Sequence, residues 1–305
     1  MSPPPGREPS LPGHRAELSP LERDPPETDP RSSPVTSWSP WSAGAALILG
    51  LLLAAVAALI VDLPAFVFGV KLTESHTPAG LVIADTFVQD VAFVVAAVYC
   101  ARLGGRVARA WQFGLRRPGS GWRSAALMIG LLLISFILLD AIWSEIVHPN
   151  KEKLLETLGT KESTSLLVLS AGLTCIVAPI CEEFLFRGYI FTALRNWRGT
   201  LPAAILTGIL FGGVHATSAP AADLVPLGLL GFGLCLLYRH TGSVYPGMLA
   251  HSLNNSIAFA DLAGWSWYGA IPLIIVAPAA ILLLIAACNR AGLFTAGTGV
   301  PRPAA

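Results

Sequence analysis

The sequence predicts an all-α protein: a polytopic bundle of about eight transmembrane helices behind a disordered N-terminal tail. Three observations carry this reading. Of the 305 residues, 53% are hydrophobic and only 13% charged, with a mean hydropathy of +0.62. Apolar runs recur at lengths near the roughly 20 residues that a helix needs to cross a bilayer. The first stretch is instead crowded with Pro, Ser, Glu and Arg, a composition that buries too little apolar surface to offset the entropy of ordering.

Residues 1 to about 40 contain no apolar core of a signal peptide and read as a Pro-rich cytoplasmic tail. A helical membrane domain is expected over about 41–290, with spans near 42–63, 80–103, 123–146, 165–194, 201–216, 223–239, 243–260 and 269–288, and a short C-terminal tail over 291–305. The connection between the second and third spans carries Arg102, Arg106, Arg109, Arg116, Arg117 and Arg123, whereas the preceding connection has only Lys71. The positive-inside rule places the Arg-rich connection in the cytoplasm. Counting spans in both directions puts both termini there too, in agreement with Arg7, Arg15, Arg23 and Arg31 at one end and Arg290 and Arg302 at the other. Lys151, Lys153 and Lys161 fall on the opposite side, accompanied by Glu152, Glu156 and Glu162. Trp38, Trp41, Trp265 and Trp267 sit at span ends, where an indole can anchor in the interface.

Composition also excludes several function classes. A net charge of +1 without a concentrated basic face argues against a nucleic-acid partner. All five cysteines lie in or at the ends of apolar segments without a CxxC pair, so neither disulfides nor a cysteine-ligated metal is expected. No internal repeat or inverted pair of broken spans points to a transporter. Arg outnumbers Lys sixteen to four, the bias of a GC-rich genome, which favours a bacterial cell membrane.

Polar groups interrupt the apolar pattern in three places: Glu182-Glu183-x-x-x-Arg187, Phe211-x-x-x-His215 and His251-x-x-x-Asn255. A charge at mid-bilayer costs about 3 kcal/mol on insertion scales, so such groups persist where they pair, line a cavity or do chemistry. Glu183 and Arg187 stand at i and i+4 and can neutralise each other, while Glu182 points about 100° away without a local cation. A carboxylate so placed suits a general base acting on water. Pro179 deletes a backbone hydrogen bond just before the pair, which would free the Cys175 carbonyl and kink the helix. Phe211 with His215, and His251 with Asn255, each share one helical stripe. Together the set supplies a base, oxyanion donors and potential metal ligands, the ingredients of water-driven amide cleavage. Asp85, Asp90, Asp140 and Glu145 are weaker candidates.

The series EExxxR, FxxxH and HxxxN on successive spans resembles the CPBP family of intramembrane proteases, also called the CAAX prenyl protease and bacteriocin-processing (Abi) family. The resemblance covers roughly residues 165–260. It implies an intramembrane endopeptidase that cuts a membrane-associated protein or peptide within the lipid bilayer. On that resemblance Glu182 activates water with help from His215, His251 and Asn255 steady the oxyanion, and Glu183, Arg187 and Phe211 support them. It leaves the cofactor open between a Zn(2+) held by Glu182, His215 and His251 and no metal at all. A non-proteolytic immunity or scaffold protein of the same family is the alternative, and a proton-coupled transporter a more distant one.

Overall fold

The computed structural model describes residues 36–70, 77–105, 107–148 and 154–293. The tail up to residue 35, the tail from 294, and Lys71, Arg106, Lys151 and Lys153 of the topology argument lie outside these residues. Among the described residues there is no strand, and the long elements are eight helices: α1 (Trp41–Val67), α2 (Ala79–Ala101), α3 (Trp122–Val147), α4 (Thr164–Arg198), α5 (Thr200–Val214), α6 (Leu224–Thr241), α7 (Tyr245–Leu262) and α8 (Trp267–Arg290).

Seven of the eight are long and apolar enough to cross a membrane; α7 is the exception. The sequence Ser-Leu-Asn-Asn-Ser in its middle lowers its hydropathy, yet the whole stretch from Tyr245 to Ser252 is buried. The first half of the span expected over 243–260 is thus enclosed by protein, where polar side chains can find partners that lipid would not offer, while Ile257 and Ala258 in its second half are exposed. Its neighbours take the opposite role. Ile48, Leu52 and Leu59 of α1, Leu127, Leu131 and Ile134 of α3, and Ile275, Val276 and Leu283 of α8 all stand exposed, as lipid-facing residues must.

The core forms around α4, where Phe186, Tyr189 and Phe191 pack with Phe93 of α2, Phe211 of α5 and Tyr238 of α6, all fully buried. Helices α5 and α6 approach backbone to backbone. A Cβ on Gly208 would come within 2.6 Å of the Gly228 carbonyl, and one on Gly212 within 2.5 Å of the Leu224 carbonyl. Small residues four apart permit this approach, which is how membrane helices gain contact without a hydrophobic driving force.

One end of the bundle is closely tied. The Arg-rich connection folds onto the α6–α7 turn: Val244 N donates to Gly114 O at 3.0 Å, Gly119 N to Thr241 O at 2.8 Å, and Arg116 Nε to Gly242 O at 2.9 Å. At the same end Asn196 Nδ2 donates to Thr36 O at 2.6 Å, and the Trp38 ring lies 4.9 Å from Phe113 and 4.7 Å from Tyr189. Trp38 is therefore a packing residue, 4% exposed, and not the interface anchor its position suggested. Trp41 and Trp267, at helix starts, are exposed as anchoring requires.

Candidate active site

Helix α4 carries the first motif and departs from α-geometry on both sides of it. Leu173–Val177 and Phe184–Phe191 are π-helical, leaving Ala178–Glu183 as a short α-segment between two widened turns. Such bulges occur mostly as single turns at functional positions. Pro179 supplies the local cause of the first one, since it cannot donate to the carbonyls four and five residues back. Both carbonyls are satisfied from α7: Ser252 Oγ donates to Cys175 O at 2.6 Å, and Asn255 Nδ2 donates to Thr174 O at 2.9 Å. The freed Cys175 carbonyl expected from sequence is present, and α7 is stitched to it.

Glu183 lies at the centre of a buried polar chain. Its Oε1 accepts from Arg187 Nη1 at 2.7 Å and from His251 Nδ1 at 3.2 Å, with Glu183 and Arg187 both wholly inaccessible. Arg187 also donates from Nη2 to Gly231 O at 3.0 Å and lies over the Phe211 ring at 4.5 Å. The guanidinium is thus held by a carboxylate, a carbonyl and a ring face, which is what a buried arginine needs to offset its desolvation. Glu183 Oε2 packs against the backbone of Gly247, where a Cβ would come within 2.6 Å.

A carboxylate on Nδ1 fixes both the tautomer and the orientation of His251. Its Nε2 consequently faces Glu182, whose Oε2 lies 3.9 Å away, buried and without a hydrogen-bond partner. The two adjacent glutamates have different surroundings because successive helical residues point about 100° apart. Glu183 is held through Oε1 by Arg187 and His251, with its Oε2 unbonded against Gly247, whereas Glu182 Oε2 faces the His251 imidazole without a hydrogen bond.

His215 and Asn255 stand apart from this pair. His215 Nδ1 must donate to the Phe211 carbonyl, 2.7 Å away, because a carbonyl can only accept. Its ring centre is 5.0 Å from that of Phe211, which also lies 5.6 Å from the His251 ring. Phe211 therefore sits between the two histidines, and His215 reaches neither Glu182 nor His251 by a hydrogen bond or ion pair. Each of His215 and Asn255 is one helical turn, about 6 Å, beyond the residue of its motif that touches the centre. Among the described residues no three His, Cys, Asp or Glu side chains converge to hold a metal ion, so Glu182, His215 and His251 do not form a ready ligand set.

Sequence reasoning undervalued or missed three participants. Asp90 of α2 is 1% exposed, neither of its carboxylate oxygens is hydrogen-bonded, and the charge acting on it is that of Glu182. Its single visible signal was a carboxylate inside an apolar span. Gly247 and Ser252 gave no signal beyond lying on the helix of the third motif.

Residues 164–257 match the family model described as "Type II CAAX prenyl endopeptidase Rce1-like". The matched stretch starts with α4, ends within α7 and contains all three motifs. Among curated proteins, "Putative membrane peptidase YdiL" of Bacillus subtilis (strain 168) is 33% identical over 81 residues, 27% of this chain and 32% of that protein. An "Uncharacterized protein" of Mycoplasma capricolum subsp. capricolum is 27% identical over 136 residues, 44% of this chain and 40% of that protein. The chain spans less than half the length of either relative. No solved structure matches it. Over the segment that builds this site the chain is thus similar to the Rce1-like type II CAAX prenyl endopeptidases, a membrane peptidase family, as its three motifs implied.

Proposed function

We propose that the protein is a CPBP-type intramembrane endopeptidase that hydrolyses a peptide bond of a membrane-associated protein or peptide. The observation that carries this reading is the pairing of an unpartnered Glu182 Oε2 with His251 Nε2, 3.9 Å apart, while Glu183 holds the other side of the imidazole. Buried polar groups normally find partners, and one left facing a fixed imidazole is poised for something that arrives.

In the proposed reaction Glu182 takes a proton from water as the water oxygen attacks the substrate carbonyl carbon. The charge that develops on the carbonyl oxygen is met by the second amide N–H of Asn255, the first being committed to Thr174 O, and by His251 in the form that carries a proton on Nε2 as well as on Nδ1. The proton then passes from Glu182 to the amide nitrogen as the C–N bond breaks, releasing an amine and an acid. His215, with Nδ1–H on Phe211 O, presents Nε2 as an acceptor that assists the water. Glu183 and Arg187 position His251 and do not touch substrate. Among the described residues these side chains do not converge as a metal set.

The gathering of Arg116, Arg117, Arg239 and Arg290 toward one end of the bundle supports a membrane protein with both termini in the cytoplasm, and the excess of Arg over Lys supports a bacterial cell membrane. Comparing the termini of membrane and secreted peptides between cells carrying wild-type protein and cells carrying Glu182→Gln at matched expression tests the reading. The amide keeps the shape and removes the base. Termini present only with wild type are expected and would name the substrate. Identical termini, with the variant folded and the phenotype intact, would leave a scaffold or immunity role instead.

A further inference from the structure

We propose that a cavity at the arginine-bearing end of the bundle binds an anionic phospholipid, the phosphate between Arg117 and Arg290 and an acyl chain along α8. The inference goes beyond peptide hydrolysis and does not depend on it. The cavity has a volume of about 610 Å³ and lies between the start of α3, the start of α7 and the end of α8. Two guanidiniums border it and no acidic side chain lines it, so its charge is uncompensated from within.

The polarity of its α8 wall changes along the helix axis in the order a lipid requires. Leu282, Ile285 and Ala286 share one stripe, and Asn289 and Arg290 follow at the helix end. An acyl chain alongside the first three would place its phosphate about 6 to 12 Å further on, at the two arginines. Trp122, the first residue of α3, borders the cavity at the level where indoles sit in the interface.

The site is also built before a ligand arrives. Arg116, next to Arg117, is fastened to Gly242 O at 2.9 Å, and Ser243 Oγ donates to Arg116 O at 2.5 Å, so the segment presenting Arg117 is held on the α6–α7 turn. Tyr245 follows that turn. It lines the cavity beside Asn289, which its hydroxyl faces. Basic pockets between membrane helices on the positively charged side hold anionic headgroups by this combination of charge and apolar wall. A soluble anion would use the arginines alone and leave the α8 wall without a role.

The test uses the full chain in detergent micelles supplemented with phosphatidylglycerol or phosphatidylcholine, with retained lipid counted by native mass spectrometry. Wild type is expected to retain phosphatidylglycerol in roughly tenfold preference or more. The pair Arg117→Gln with Arg290→Gln is expected to abolish the preference at an unchanged melting temperature, since both side chains are exposed. The control pair Arg102→Gln with Arg239→Gln removes equal charge from residues that do not line the cavity, and is expected to keep it. Equal retention of both lipids by wild type, or equal loss in the control pair, would overturn the proposal. So would displacement of phosphatidylglycerol by millimolar inorganic phosphate or by a peptide with a free C-terminal carboxylate, which would assign the cavity to a soluble anion or a peptide end.

Discussion

Glu183 of α4 rests its Oε2 on the bare Cα of Gly247 of α7, a position where a Cβ would lie 2.6 Å from that oxygen. The same carboxylate holds His251, four residues further along α7, through Oε1. One helix thus provides both the floor on which Glu183 lies and the imidazole it orients. Gly247→Ala must push Glu183 or α7 aside, and overpacking of this kind costs about 1–3 kcal/mol. The proposed peptidase activity is expected to fall at least tenfold with a lowered melting temperature. A variant with wild-type activity would show that the contact sets nothing.

Arg187 neutralises Glu183 inside the bundle, so removing either partner alone strands a buried charge, at about 3–5 kcal/mol. Arg187→Met is expected to destabilise the protein more than the double replacement Glu183→Met with Arg187→Met. Thermal melts of the three proteins in one detergent decide this, and a double variant less stable than Arg187→Met would contradict it. The double variant keeps its fold yet loses the orientation of His251, so low activity is expected from it despite its stability.

Ser252 donates to a carbonyl that exists unpaired because residue 179 is proline. Ser252→Ala is expected to cost about 1–3 kcal/mol, the range for stranding a buried acceptor. In a Pro179→Ala background the backbone N–H returns and the same change should cost less. A double-mutant cycle measures the coupling, and additive costs would refute the link.

Asp90 is buried with neither oxygen hydrogen-bonded and with Glu182 as its charged neighbour. Asp90→Asn removes a carboxylate that nothing compensates, so a higher melting temperature is expected. A lower one would mean that Asp90 has a stabilising partner.

The site offers no converged metal set, so activity is expected to persist in a large excess of a zinc chelator while Glu182→Gln abolishes it. Loss of activity on chelation, restored by added zinc, would require Glu182, His215 and His251 to rearrange around an ion.

The helices were legible because apolar length alone marks a span, and the Glu183–Arg187 pair because i, i+4 spacing dictates it. What could not be read was whatever depends on two helices meeting. The motif spacing puts His251 and Asn255 on one stripe of α7, yet gives no hint that His251 turns to Glu183 while the Asn255 amide reaches Thr174 O. Trp38 lies at a span end in sequence, but its burial depends on Phe113 and Tyr189 arriving from elsewhere. Asp90 looked like any stray acid until α2 was laid beside Glu182.

The polar character of α7 bears on how the chain enters its membrane. Helix α4 carries its own counter-ion pair and can be inserted as it leaves the ribosome. Helix α7 is too polar to partition into lipid by itself. It precedes α8, which is strongly apolar and packs against it, so the two are best delivered as one hairpin in which α8 provides the driving force. A chain ending at Gly264 would therefore leave His251 outside the bilayer: the last helix, which contributes none of the candidate catalytic residues, decides whether the site is ever assembled.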